Sequence, residues 1–350
     1  MSPGNDDVCA QGRYRLVLVE GGGVVGGEFL RLALGHPCLQ VVQVTSRAHA
    51  GQPVAARHPN LWRVSDLRFA AEVDLDGVDV LVYAGAAAGA APWAAPATPG
   101  LRCVLDLSSA CRFSGGPGPM RAGRRDHACP EADVPFACAL PERERTRLSA
   151  AGRSGSVTRL RVPGPLATAV VLALAPLLRG AVVARRDVVV EARLGSSAAA
   201  PGADDGVTFP SGHPEAETIA ALLPGGLQVH LSTVASGRVR GVGISAHVWL
   251  HDGSSEGDVR AAFEQAYADE PFVRLIDRRA GPRRYPDPRL LDGTNWCDIG
   301  WRLDPGSGRV VVLAALDNLG KGSAGQGLQV LNLALGFDER AGLGFPGVHP

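Results

Sequence analysis

The fold class follows from residues 15–37, which read RLVLVEGGGVVGGEFLRLALGHP. The apolar run at residues 15–19 predicts a buried parallel strand, and the glycines that follow it predict a tight turn. Residues 28–34 have the apolar spacing of a helix, which Gly35 and Pro37 then end. A second apolar run at residues 39–44 completes a strand–turn–helix–strand unit, which is typical of dinucleotide-binding domains.

The glycine turn fits the pattern Gly21-x-Gly23-x-x-Gly26. Such glycines let backbone N–H groups approach a pyrophosphate at the positive end of a helix. Thr45-Ser46-Arg47 follow the second strand, where hydroxyl and guanidinium groups would hold the 2′-phosphate of NADP. The alternative for residues 45–47 is a solvated loop.

Later segments predict a second domain of a different kind. Apolar runs at 78–83 and 103–107 extend the first sheet, and a long helix is predicted over 166–178. Beyond residue 185, strands follow near 188–190, 227–234, 242–250 and 310–316 without regular helices between them. We therefore expect an α/β protein: a Rossmann dinucleotide-binding domain plus an α+β catalytic and oligomerisation domain with a mainly antiparallel sheet.

Composition excludes several classes of function. The chain has 350 residues, with 35 basic and 35 acidic side chains and no net charge. That balance predicts no nucleic-acid or membrane partner, and the polar N-terminus predicts a cytoplasmic protein. The seven cysteines form no CxxC pair, so we expect thiols rather than disulfides, and no metal site.

Several strings are more specific than the glycine pattern: EFLRLALGHP (28–37), TSR (45–47), DLSSACRF (106–113), LPE (140–142), ALAPLLRG (173–180), EPFVR (270–274), GTNWCDIG (293–300) and DNLGKGSAGQGLQVLNLALGF (317–337). Together they resemble the N-acetyl-γ-glutamyl-phosphate reductase family. That family includes relatives acting on carrier-protein-bound α-aminoadipyl or glutamyl phosphate, and the resemblance spans about residues 13–350.

The resemblance implies a division of the chain and a reaction. The Rossmann-type NADP-binding domain would span 13–160 and be joined by the C-terminal helix of 324–350, with the catalytic and oligomerisation domain at 161–323. The reaction is NADPH-dependent reduction of an acyl phosphate to an aldehyde through a cysteine thioester, with a histidine as acid/base. A homodimer or homotetramer is implied.

Two departures from the family pattern bear on that chemistry. The family's Asn-Pro-Gly-Cys segment corresponds to residues 162–165, which places Pro165 at the position of the nucleophilic cysteine. Proline carries no nucleophile, so thioester-mediated reduction is not expected, although proline suits the first turn of a helix. The family's first loop glycine corresponds to Glu20, whose carboxylate would weaken NADP binding unless it faces away from the pyrophosphate or meets a ribose.

The resemblance also implies a set of site residues. His213 would be the acid/base, with a solvated loop histidine as the alternative. Arg112 and Arg240 would bind substrate, unless they are plain salt-bridge residues. The cofactor-binding residues would be Gly21, Gly23, Val24, Val25, Gly26, Thr45, Ser46, Arg47, Ser108, Lys321, Gly322 and Gln326. Cys138 as a relocated nucleophile is weighed against a buried thiol.

Three functions remain open at this point. The first is an NADP-dependent oxidoreductase that reduces a carbonyl or imine directly, with His213 as proton donor. The second is a non-catalytic homologue that binds a carrier protein or a partner subunit. The third is a non-redox catalyst that uses His213 as a base. The substrate in each case is a small-molecule or carrier-protein-bound amino-acid derivative.

Overall fold

The computed structural model describes residues 12–85, 98–108, 137–151, 156–184, 187–198, 207–208, 214–223, 227–276 and 284–348. The chain divides into two compact units. The first comprises residues 1–111, 122–162 and 323–344, and the second comprises residues 112–121, 163–322 and 345–350.

The first unit contains a wholly parallel sheet, which within the described residues has seven strands in the order β3-β2-β1-β4-β5-β7-β6. Its central strands are buried because apolar side chains fill both faces. The strands are β1 Tyr14–Val19, β2 Leu39–Thr45, β3 Phe69–Ala70, β4 Val80–Tyr83, β5 Cys103–Asp106, β6 Ala137–Cys138 and β7 Thr158–Arg161.

Three helices of this unit are α1 Val24–Ala33, α2 Val54–Arg57 and α3 Pro141–Ala151, with short 3-10 turns at Arg47–His49 and Pro59–Leu61. Helix α1 follows β1 directly and lies between β1 and β2 in the chain, as the sequence predicts. The carboxyl ends of β1, β2, β4 and β5 therefore share one edge of the sheet, where ligands bind in open α/β folds.

The second unit contains a mixed sheet, in the order β12-β13-β14-β11-β8-β10-β9 over the part of the chain that the structure describes. Pairing is antiparallel except between β8 and β10 and between β12 and β13. The strands are β8 Asp187–Leu194, β9 Val207–Thr208, β10 Gln228–Ala235, β11 Val242–Trp249, β12 Val273–Leu275, β13 Cys297–Asp304 and β14 Arg309–Leu316. The predicted fold class is confirmed.

Helices α4 Pro165–Arg179, α5 Pro214–Leu222 and α6 Glu256–Tyr267 belong to the second unit. Strand β8 alternates exposed and buried residues, so only one of its faces contributes to the core. The apolar helix α4 packs against β11 and β14 and is buried along nearly its whole length. Its first turn is thereby held in a fixed position.

The last helix, α7 Gly325–Leu335, belongs to the first unit, where it packs against α1, α3 and β5. A short π-helical turn, Gly320–Ala324, precedes it. Asn332 on α7 accepts a hydrogen bond from the buried ring of His36, with 3.0 Å between the side-chain atoms.

The cysteine prediction is wrong at one position. Cys103, Cys138 and Cys297 are free, whereas Cys38 is disulfide-bonded. The absence of a CxxC pair does not exclude pairing between cysteines that are distant in sequence. Among the described helices, none is both long and apolar enough to span a membrane.

Candidate functional site

The glycine turn between β1 and α1 is closely packed. The N–H of Gly21 donates to the carbonyl of Thr45 at 2.9 Å, which ties the turn to the end of β2. A Cβ on Gly26 would lie 2.6 Å from the Cα of Gly21, so only glycine permits α1 to approach the turn this closely. Gly21 and Gly26 therefore have the structural role that the pattern predicts.

The same turn presents free donors. Among the described residues, no acceptor takes the backbone N–H groups of residues 22–26. These residues include Gly23, the N-cap of α1, together with Val24 and Val25 in the first helical turn, and Gly23 and Val24 are exposed. A Cβ on Gly23 would meet nothing within 4 Å. Free N–H groups at the positive end of a helix fit a dinucleotide pyrophosphate.

Thr45, Ser46 and Arg47 have different environments. Thr45 is buried, and its hydroxyl accepts a hydrogen bond from the N–H of Glu20 at 3.2 Å. Ser46 is also buried, and its hydroxyl lies 2.9 Å from the position of a Cβ on Gly22. Arg47 is exposed and begins a short 3-10 turn. The guanidinium of Arg47 is thus an accessible positive group beside the turn.

Glu20 adopts a conformation suited to glycine. Its φ is +56°, in the left-handed region, where a side chain other than that of glycine costs about 1 kcal/mol. Its Cβ lies 3.1 Å from the position of a Cβ on Gly85, which follows β4. The pKa of Tyr83 at the end of β4 is raised by burial, then by the charges of Asp106 and Glu20. Glu20 therefore faces β4 from within the left-handed turn.

Ser108 follows β5 at the same edge of the sheet. Its N–H donates to Asp106 Oδ1 at 2.8 Å, and Asp106 Oδ2 accepts from Arg161 Nε at 2.6 Å. Both members of this ion pair are buried. The Ser108 hydroxyl is itself buried and meets no hydrogen-bond partner in the described part of the chain. Such an orphaned donor fits a polar ligand at this edge.

Gln326 lies in the first turn of α7, in the same unit as Ser108. It is fully buried. The next residue, Gly327, lies so close to β5 that a Cβ there would lie 2.5 Å from a side-chain carbon of Leu107. The start of α7 is therefore adjacent to the segment that carries Ser108.

Pro165 is the first residue of α4, and Gly164 is its N-cap without a side-chain hydrogen bond. A Cβ on Gly322 would lie 2.5 Å from the Cβ of Pro165, so Pro165 packs directly against the turn that precedes α7. Proline leaves the helix start intact, because the N–H of a first-turn residue has no partner within the helix. Residue 165, where the resemblance implies a cysteine thiolate, therefore lies at the start of a regular helix although it carries no thiol.

Glu215, the second residue of α5, caps the N-terminus of helix α4. Its Oε2 accepts a hydrogen bond from the N–H of Ala167 at 2.8 Å, and the N–H of Leu166 also bonds to the carboxylate. Burial raises the pKa of Glu215 to about 7, against the lowering effect of these two hydrogen bonds. A carboxyl group that titrates near neutrality therefore lies at the start of α4.

Lys321 and Arg240 lie in the second unit. Lys321 is fully buried in the turn before α7. Arg240 donates to Oδ2 of the buried Asp317 at 2.7 Å, and Asp317 also accepts from the N–H groups of Gly293 and Leu319. The guanidinium of Arg240 is therefore held by Asp317 rather than extended into solvent.

Two predicted site residues, His213 and Arg112, lie outside the described residues. Cys138 is partly buried on β6, and burial raises the pKa of its thiol to about 12. A thiol with such a pKa stays protonated at neutral pH, which is contrary to a nucleophilic role. The described residues contain no cluster of histidine, cysteine and carboxylate that would hold a metal ion.

Sequence reasoning missed the cap that Glu215 provides and the buried pair of Asp106 and Arg161. Glu215 stands two residues after the predicted acid/base His213 in the sequence, but the sequence does not indicate its hydrogen bonds to the start of α4. The ion pair joins residues 55 positions apart. No local spacing rule indicates such a contact.

The glycine turn between β1 and α1, at the edge of a parallel sheet, gives the first unit the architecture of a dinucleotide-binding domain. Residues 16–174 match the semialdehyde dehydrogenase NAD binding domain, and residues 166–318 match the semialdehyde dehydrogenase dimerisation domain. The chain belongs to the semialdehyde dehydrogenase family.

Within this family, the similar proteins include reductases of carrier-bound acyl phosphates. The chain is 40% identical over 346 residues to LysW-L-2-aminoadipate 6-phosphate reductase from Deinococcus radiodurans, covering 96% of this chain and 98% of that protein. It is 35% identical over 349 residues to a putative LysW-L-2-aminoadipate/LysW-L-glutamate phosphate reductase from Haloarcula marismortui, covering 96% and 98%. The resemblance drawn from the motifs is confirmed.

Solved structures show the same fold. Aspartate semialdehyde dehydrogenase II from Vibrio cholerae superposes with a TM-score of 0.66 at 15% identity, covering 92% of this chain and 98% of that one. The Candida albicans aspartate semialdehyde dehydrogenase gives a TM-score of 0.63 at 15% identity, with the same coverage of both chains.

Proposed function

We propose that this protein binds NADP and a carrier-protein-bound amino-acid derivative, and that it transfers hydride to a carbonyl or imine without forming a thioester. One observation carries the proposal. The first unit keeps a nucleotide turn whose N–H groups at residues 22–26 meet no acceptor among the described residues, whereas Pro165 occupies the helix start where the resemblance implies the family's thiolate.

The cofactor, when bound, supplies a hydride from its nicotinamide. The turn at residues 21–26 and the orphaned hydroxyl of Ser108 would hold it in the first unit, with Arg47 at a 2′-phosphate. Thr45 and Ser46 are buried at the end of β2, next to the glycine turn, and contribute to the same proposed cofactor site. Lys321, Gly322 and Gln326, the residues around the start of α7, are proposed as further cofactor-binding residues because the resemblance to the family implies that role.

Neither residue 165 nor the thiols of Cys103 and Cys138 suit covalent catalysis. Pro165 carries no thiol, and burial raises the pKa of both Cys103 and Cys138 to about 12. The N–H groups at the start of α4 donate to the carboxylate of Glu215, so this carboxylate is the anion bound at that helix N-terminus. Direct reduction needs only a hydride donor and a proton donor.

We assign the proton to His213, with Arg112 and Arg240 as guanidinium groups for the acidic end of the substrate. In the sequence, His213 is two residues before Glu215, whose carboxylate caps α4. A carrier-bound substrate is supported by the names of the relatives. A homodimer or homotetramer is supported by the match to a dimerisation domain.

A second function, binding without catalysis, is favoured by the two positions at which this chain departs from the family pattern. Glu20 brings a carboxylate to the nucleotide turn, and Pro165 removes the nucleophile. A non-redox catalyst with His213 as base would also keep the second unit intact. Both alternatives predict no consumption of NADPH.

The test is a turnover assay with three carrier-protein-bound substrates: the aminoadipyl phosphate, its semialdehyde and an imine derived from that semialdehyde. We expect NADPH oxidation with the aldehyde or imine, no phosphate-dependent oxidation with the acyl phosphate, and no acyl adduct in intact-protein mass spectra. N-acetyl-γ-glutamyl phosphate should be equally inert. Turnover of an acyl phosphate through a covalent adduct would refute the proposal, and NADPH binding without any turnover would favour the binding function.

A further inference from the structure

Two side chains from the segment after β2 reach the carbonyl groups of the nucleotide turn. His58 Nε2 lies 2.8 Å from the carbonyl oxygen of Gly21, and Arg57 Nε donates to the carbonyl of Gly22 at 3.0 Å. A carbonyl only accepts, so Nε2 of His58 carries the proton. These two hydrogen bonds fix the carbonyl groups of two successive peptides of the turn.

The imidazole of His58 is fixed in place. It is buried, packs edge-on against Phe69 with 6.2 Å between ring centroids, and lies where a Cβ on Gly27 would collide with it. The backbone N–H of His58 donates to the carbonyl of Val54 at 2.9 Å, which anchors the residue to α2. Burial lowers the pKa of His58, so the ring is neutral at pH 7.

Peptide geometry links these carbonyls to the free donors. In a planar trans peptide the C=O and the N–H point in opposite directions. Holding the carbonyl of Gly21 therefore directs the N–H of Gly22 away from His58, and holding the carbonyl of Gly22 directs the N–H of Gly23 away from Arg57. Glycines have no Cβ to restrict such rotations, so an isolated turn would not keep both donors aligned.

We propose that Arg57 and His58 are positioning residues for the pyrophosphate of the dinucleotide, because they aim the N–H groups of Gly22 and Gly23 through the carbonyls on the other side of each peptide. The inference rests on the proposed function, since it assumes that NADP occupies this turn. It adds two residues that do not themselves belong to the glycine pattern.

The experiment measures NADPH dissociation constants by fluorescence titration of the full-length protein. Arg57→Met removes the donor from an exposed side chain, and Arg68→Met is the matched control, because Arg68 donates to the carbonyl of Gly51 outside the turn. His58→Leu removes the second donor, and His58→Gln keeps an amide N–H for rescue. Adenosine 2′-phosphate, which has no pyrophosphate, is titrated in competition as a second probe.

We expect Arg57→Met and His58→Leu to weaken NADPH binding by roughly tenfold each, the effect of losing one hydrogen bond that aligns a donor. Adenosine 2′-phosphate should bind all variants equally, Arg68→Met should match the wild type, and His58→Gln should recover most of the loss. Arg57→Met carries the test if His58→Leu fails to fold.

Equal NADPH affinity in the wild type and Arg57→Met would overturn the inference while leaving the proposed function intact. Equal losses for NADPH and adenosine 2′-phosphate would also overturn it, by showing that Arg57 contacts the 2′-phosphate instead. A wild-type protein that binds no NADPH would refute the proposed function and this inference together.

Discussion

The carboxylate of Glu215 accepts a hydrogen bond from the backbone N–H of Ala167 at 2.8 Å. The helix α4 is thus capped by a carboxylate from α5 at the turn where the resemblance implies the family's thiolate. A negative group at a helix N-terminus is stabilised by the partial positive charge there. The same charge cannot serve a second anion equally well, so Glu215 and a thiolate at residue 165 would compete for it.

A cysteine restored at residue 165 should reveal this competition. We expect the thiol pKa in Pro165→Cys to be lower by on the order of one unit when Glu215→Gln is added, because a like charge next to the thiolate is removed. The thiol pKa in each variant is obtained from the rate of alkylation by iodoacetamide as a function of pH, after the rate for the wild-type cysteines has been subtracted. Identical profiles for the single and double variants would show that Glu215 does not influence this position.

The left-handed backbone of Glu20 predicts a stabilising substitution. Glu20→Gly should raise the free energy of unfolding by about 1 kcal/mol, because it relieves the conformational cost at a φ of +56°. It should also tighten NADPH binding by removing a carboxylate from the nucleotide turn.

Arg63→Gly is the matched control, since Arg63 has a φ of +61° but lies outside that turn. Chemical denaturation should show stabilisation in both variants, and NADPH titration should show tighter binding only in Glu20→Gly. Tighter binding in neither variant would mean that the carboxylate of Glu20 points away from the nucleotide.

His36 predicts a loss of stability in acid. Its Nδ1 accepts from the N–H of Cys38 at 3.1 Å and its Nε2–H donates to Asn332, so the neutral ring satisfies both contacts. Burial lowers the pKa of His36 from 6.5 to about 4. The unfolded chain therefore binds the proton first, and stability falls as the pH drops from 6.5 towards 4.

The full effect of this residue is roughly 3.5 kcal/mol, because each pH unit between 6.5 and about 4 contributes about 1.4 kcal/mol. Denaturation curves at several pH values between 7 and 4 should show a shallower decline in His36→Gln than in the wild type. Parallel declines in the two proteins would mean that other groups cause the acid sensitivity.

The buried pair of Asp106 and Arg161 predicts a large cost for one substitution. Arg161→Met should destabilise the protein by about 3–5 kcal/mol, because it leaves a buried carboxylate without its partner. Adding Asp106→Asn should restore part of the loss. Arg102→Met is the control, since Arg102 and Asp79 form a more exposed pair, with 3.6 Å between Nε and Oδ1. A cost for Arg161→Met no greater than the control's would contradict this reading of the pair.

Much of the architecture was predictable because periodicity and turn chemistry are local. The strand before Glu20, the helix after the glycines and the mixed second sheet all follow from apolar spacing. The boundaries differ by a few residues: α1 begins at Val24 rather than near residue 28, because the glycines at 26 and 27 are part of the helix. Pro165 at the first position of α4 agrees with the preference of proline for helix starts.

The site was less predictable because its contacts join distant residues. Whether Glu20 faces a phosphate or a neighbouring strand depends on the position of β4, which no local pattern encodes. The bonds from Arg57 and His58 to the glycine turn depend on how the chain returns after β2.

Calorimetric titration of the full-length protein with NADPH tests the central claim most directly, namely that the nucleotide site persists although the nucleophile is lost. The account predicts saturable binding with one NADPH per chain and a micromolar dissociation constant, unchanged in Pro165→Ala, which leaves the nucleotide turn untouched. Absence of binding at millimolar NADPH would contradict the account and leave a partner-binding or non-redox protein.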